Sequence, residues 1–88
     1  MPGILALIAA LPRIALVAGQ LVRIIARIRN ASVSMGLAKT PVAANAYKQI
    51  GTKLSQQARA IYRANQQILA KMPNLSSELL NELNRYFQ

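Results

Sequence analysis

Residues 40–72 read TPVAANAYKQIGTKLSQQARAIYRANQQILAKM, and the fold class follows from how this stretch is punctuated. Thr40 offers a hydroxyl where a helix N-cap belongs, and Pro41 follows at the first helical position, where its missing N–H costs nothing. The next proline is Pro73, so the pattern predicts one helix over 41–72, about 45 Å long at 1.5 Å per residue. Ala43, Tyr47, Ile50, Leu54, Ala58, Ile61, Asn65, Ile68 and Met72 recur at steps of three or four and form an apolar stripe. Lys48, Thr52, Ser55, Arg59, Arg63 and Gln66 fall within about 80° of one another on the opposite edge. Asn65 either sets register between associating helices or lies at a wet margin.

Upstream, residues 4–29 read ILALIAALPRIALVAGQLVRIIARIR. Arg13, Gln20, Arg23 and Arg27 project within about 80° of one another, and Leu, Ile and Val fill much of the rest. The segment is therefore a second amphipathic helix, with Arg29 near its end, where a cation suits the macrodipole. Pro12 cannot donate to residue 8 and its ring crowds that carbonyl, which predicts a kink or break. Gly19 either admits another backbone closely or is simply tolerated. No uncharged run reaches the roughly 18–20 apolar residues of a membrane span, and no positive region precedes the apolar opening as in a secretory signal.

Residues 30–40, NASVSMGLAKT, lose apolar periodicity and gather turn-formers, which predicts the connection between the two helices. Pro73 ends the second helix, and 76–87 reads as a terminal helix capped by Asn74 or Ser76, with Leu75, Leu79, Leu83 and Phe87 every four residues. Glu82 and Arg85 are placed to pair at i,i+3. The tripeptides Asn30-Ala31-Ser32 and Asn74-Leu75-Ser76 match the glycosylation pattern, but both are better read as turn or cap residues. The expected architecture is a single all-α domain over 1–88: an antiparallel helical hairpin with a short C-terminal third helix, self-assembling.

Chemistry narrows the function. The chain has no cysteine and no histidine, and its side-chain carboxylates are Glu78 and Glu82, which argues against ordinary enzyme chemistry and against metal ligation. No catalytic residue, cofactor or metal ligand is expected. Residues 1–72 hold ten cations and no acid, within a formal net charge of +9. A polyanion partner explains that imbalance economically. A hydrophobic content of 53% exceeds what an isolated small domain needs, and it points to self-association in many copies or to lipid.

Both long helices carry a basic edge with amides and hydroxyls, the groups that hold phosphate and sugar without reading bases. Arg outnumbers Lys seven to four, and its planar fork grips phosphate bidentately. The candidate nucleic-acid-binding residues are Arg13, Arg23, Arg27, Lys48, Arg59 and Arg63, facing double-stranded DNA. Tyr62 either stacks on a base or sugar or packs at the boundary of the apolar face. The alternative function is a cationic protein on an anionic membrane, and a third is a basic adaptor ordered only inside a larger complex.

A cysteine-free chain rich in Ala, Ile and Gln, with IIARIR in one helix and SQQARAIYRANQQ in the next, resembles the helical-hairpin coat proteins of rod-shaped or filamentous DNA viruses. The apolar opening MPGILALI is also similar to that of small minor coat proteins of filamentous phages. The resemblance implies a structural protein of the virion, many copies around packaged DNA, and no enzyme activity. It transfers no residue role by position.

Overall fold

The second helix begins where Thr40 and Pro41 dictate. In the computed structural model, which describes residues 2–87 with side chains from Leu11 onward, Thr40 is extended and its hydroxyl accepts from the Ala43 N–H at 3.1 Å. Among the described residues four helices follow one another: α1 (Pro2–Leu37), α2 (Pro41–Ala64), the single turn α3 (Gln66–Leu69) and α4 (Pro73–Arg85). No strand occurs among the described residues, so the protein is all-helical.

α1 is longer than the sequence pattern suggests. It runs unbroken through Pro12, whose ring is exposed, and on past Arg29 to Leu37. Pro12 removes one donor from the ladder, and the turns on either side continue the helix. The turn-formers of 30–37 are carried as helix because Ala31 is buried and Met35 packs against the core. The predicted connection of 30–40 therefore shrinks to residues 38–40. The apolar side chains expected over residues 4–10 lie outside the described ones.

α2 is shorter than predicted, and Asn65 is the reason. Its side-chain amide donates to the Ile61 carbonyl at 2.8 Å, the acceptor its own backbone N–H would use in a continuing α-helix. That backbone N–H turns to the Tyr62 carbonyl at 3.2 Å instead. The predicted single helix of 41–72 is thus broken into α2 and α3, and the half-buried Asn65 side chain bonds within its own helix. α4 starts at Pro73, three residues earlier than the predicted 76, and ends at Arg85. Neither Asn74 nor Ser76 caps it; Ser76 pairs its hydroxyl with that of Tyr62, and so Tyr62 serves packing between α2 and α4.

The core is built from a narrow seam on α1. Ile14, Val17, Leu21, Ile24, Ile28 and Ala31 are buried at alternating steps of three and four, the spacing of a coiled-coil seam. Val17, Leu21, Ile24, Ile28 and Ala31 meet Ala58, Leu69, Leu79, Leu83 and Phe87. Burying one such Val, Leu or Ile contributes about 1.5–3 kcal/mol. α1 lies against α2 along its most extensive contact, and α4 packs on both. The molecule measures 58 × 16 × 16 Å, so α1, about 54 Å at 1.5 Å per residue, runs nearly its full length.

Candidate nucleic-acid interface

Each basic edge follows from the helix that carries it, but packing divides the six candidate residues. Arg23 and Arg27 lie one turn apart on α1, beside the buried seam, and both are exposed. With Gln20 they border α2, and together with Gln57, Ile24 and Ile61 they line an open groove of about 490 Å³ between the two helices. The groove pairs an apolar floor with two guanidinium groups and two amides at its rim. Arg13 is exposed two to three turns toward the N-terminus, outside that groove.

Lys48 stands on the outer surface of α2 with Asn45, Gln49, Thr52, Lys53 and Gln56, around an open depression of about 340 Å³. Cation, amide and hydroxyl alternate there along one helix. The composition suits backbone phosphate and sugar, and Lys53 joins the face although the sequence reading did not single it out.

Arg59 has a different occupation. It is half-buried, and its guanidinium donates to the carbonyl of Leu83 at 3.2 Å, the carbonyl of Phe87 at 3.4 Å and the Ser55 hydroxyl at 3.4 Å. Leu83 lies in the last turn of α4 and Phe87 just beyond it, where helix carbonyls lack intrahelical partners and a cation suits the dipole. Ser55 completes the clasp by donating to the Phe87 carbonyl at 2.7 Å. Arg59 therefore fastens α4 to α2, whereas the sequence placed it on the nucleic-acid side. Arg63, one turn on, is exposed and shares a cleft of about 160 Å³ with Arg59, Tyr62, Gln66, Leu80 and Leu83.

The clasp also depends on Gly51. The ring of Phe87 lies where a Cβ on Gly51 would sit, so the close approach requires a residue without one. Gly51, Ser55 and Ala58 are all buried, and this line of small residues at steps of four and three was the legible sign that another helix comes close. The sequence reading placed Ser55 on the cationic edge instead, and it placed Tyr47 and Ile50 on the apolar stripe, where both are exposed.

Electrostatically, the ten cations of residues 1–72 have no ion-paired partner among the described residues. The expected pair of Arg85 and Glu82 is present at 3.3 Å, exposed at 66% and 43%, a geometry that contributes little to stability. Glu78 and Glu82 are both on α4, so the surfaces carrying Arg23, Arg27 and Lys48 face solvent with no carboxylate on their own helices. No group of three potential metal ligands occurs among the described residues. No helix is long and apolar enough to cross a membrane among the described residues.

Comparison with known proteins returned no match among family models, curated proteins or solved structures.

Proposed function

We propose that this protein is a structural coat or packaging protein that polymerises through apolar helix surfaces and holds the backbone of nucleic acid, double-stranded DNA foremost, without reading bases. In this reading α1 and α2 form the antiparallel hairpin, α4 braces it, and many copies surround the polyanion as the shell of a virion. The observation that carries the reading is the set of exposed, unpaired cations on both long helices of a protein whose only side-chain acids are on α4. Such a surface gains by releasing the counterions that phosphate condenses. The contact residues are Arg13, Arg23, Arg27, Lys48 and Arg63; Arg59 is set aside by its bonds to α4.

Duplex binding measured over a range of salt tests this. Five phosphate contacts predict a slope of log affinity against log salt of about −4 to −5. A slope near zero overturns the proposal. Leakage of anionic vesicles in the absence of DNA binding would select the membrane-associated reading instead.

A further inference from the structure

At the cleft between α2 and α4, packing fixes an arginine and leaves part of it unengaged. Arg59 donates from Nε to the Ser55 hydroxyl and from Nη2 to the carbonyls of Leu83 and Phe87, and Nη1 takes no part in that clasp. A guanidinium carries N–H donors on all three nitrogens in one rigid plane. The clasp therefore holds the whole fork in place, and an anion that meets Nη1 finds a donor whose side-chain freedom is already lost.

Arg63 follows Arg59 at i+4 and Gln66 follows Arg63 at i+3, so these side chains are neighbours, and all three line the cleft. Arg63 and Gln66 are exposed, and neither side chain has a hydrogen-bonded partner among the described residues. Leu80 and Leu83 line the cleft from α4. The ring of Tyr62 adds to this apolar part, since its hydroxyl is taken by Ser76. Neither Glu78 nor Glu82 lines the cleft, so no carboxylate of the chain competes there for the two arginines.

We propose that this cleft binds a phosphate monoester, whose phosphate is held by Nη1 of Arg59, the fork of Arg63 and the amide of Gln66, and whose organic group lies against Leu80. The donor set argues for phosphate. A carboxylate brings one charge and two oxygens, whereas a phosphate monoester brings a charge of about −1.5 to −2 at pH 7 and three acceptor oxygens. Two guanidinium groups and an amide match the second set. The phosphodiester of a strand, with one charge on two free oxygens, matches it less well. At about 160 Å³ the cleft is also smaller than the roughly 300–1,000 Å³ of sites that enclose a whole ligand. It takes the phosphate and the first part of what the phosphate is attached to. Two sources carry that chemistry: a free small molecule and the 5′ end of a nucleic-acid strand. The cleft does not rest on the packaging function proposed above, which uses Arg63 as a backbone contact.

Phenyl phosphate titrated into the full chain at constant ionic strength, followed through the Nε–H resonances of Arg59 and Arg63, tests this. Both resonances should shift together and saturate at one ligand per chain. Arg63→Gln should fold as the wild type does, because the side chain is exposed and without a partner among the described residues. It should bind phenyl phosphate at least about tenfold more weakly, a change of about 1.4 kcal/mol. Lys39→Gln removes the same charge from an exposed position outside the cleft and should bind as the wild type does. Equal weakening by the two variants, or a response that never saturates, reduces the effect to the diffuse attraction of a chain of net charge +9 and overturns the site. Benzoate that binds as tightly as phenyl phosphate overturns the assignment to phosphate. Leu80→Gln should weaken phenyl phosphate but not inorganic phosphate; equal affinity of the wild type for the two overturns the role of Leu80. Displacement of phenyl phosphate by a 5′-phosphorylated duplex, and not by the same duplex with 5′-hydroxyl ends, places the monoester on a strand; equal displacement by both places it on a free molecule. A duplex salt slope near zero with the cleft still saturable ends packaging and leaves the cleft, and a steep slope without a saturable cleft ends the cleft alone.

Discussion

Arg27 and Arg59 occupy the same local setting and reach different ends. Each is one of two arginines four residues apart on an amphipathic helix, Arg23 with Arg27 and Arg59 with Arg63. Each sits on the flank of the buried face. Arg27 opens onto solvent in the groove between α1 and α2. Arg59 is drawn across α2 to the carbonyls of Leu83 and Phe87. The difference lies beside them. α4 ends next to Arg59 with carbonyls in need of donors, whereas Arg27 has no hydrogen-bonded acceptor among the described residues. A cation's role is thus decided by the acceptors tertiary packing brings to it.

Three substitutions break this contrast, in descending order of effect. Gly51→Ala places a methyl group in the ring of Phe87 and so displaces the residue whose carbonyl Ser55 and Arg59 hold. Overpacking and the lost hydrogen bonds together should cost about 2–4 kcal/mol, despite alanine's better helix propensity. Chemical denaturation should show that loss; a stability equal to the wild type would mean that α4 is not clasped there.

Arg59→Gln keeps the backbone intact but removes the charged donor. Hydrogen bonds to charged groups are each worth about 1.5–3 kcal/mol, and partial exposure here reduces the sum to about 1–2 kcal/mol. The thermal midpoint should fall by about 4–8 °C per kcal/mol for a domain of this size. A salt slope for DNA binding that also drops by one contact would return Arg59 to the binding surface.

Arg27→Gln should do the reverse. Stability should stay within about 0.5 kcal/mol of the wild type, as at an exposed site without partners. The salt slope should weaken by about 0.9, the value of one phosphate contact. A loss of stability comparable to that of Arg59→Gln would erase the distinction between the two pairs.

Much of the helical content was legible because it rests on short-range chemistry. Thr40 and Pro41 favour a helix start by their own chemistry, and Glu82 with Arg85 pair through one turn of α4. Boundaries failed where a side chain or a distant contact intervened. Asn65 reads as a stripe residue until its amide takes the Ile61 carbonyl, and residues 30–37 read as a loop until Ala31 and Met35 are seen against the core. In the candidate interface, Arg13, Arg23, Arg27, Lys48 and Arg63 are solvent-exposed, whereas the position of Arg59 depended on a helix terminus 24 residues away.

By itself, the sequence determined an all-helical protein with two long amphipathic helices, no cysteine or histidine, and ten cations over residues 1–72 with no acid among them. Those properties follow from periodicity, capping and composition, which act over a few residues or over none. Only the tertiary structure decided that α1 buries a seam from Ile14 to Ala31, that Gly51 yields its space to Phe87, and that Arg59 serves α4. Each of these joins atoms far apart in the chain, and a local pattern can signal that a face will be covered but not which distant residue covers it.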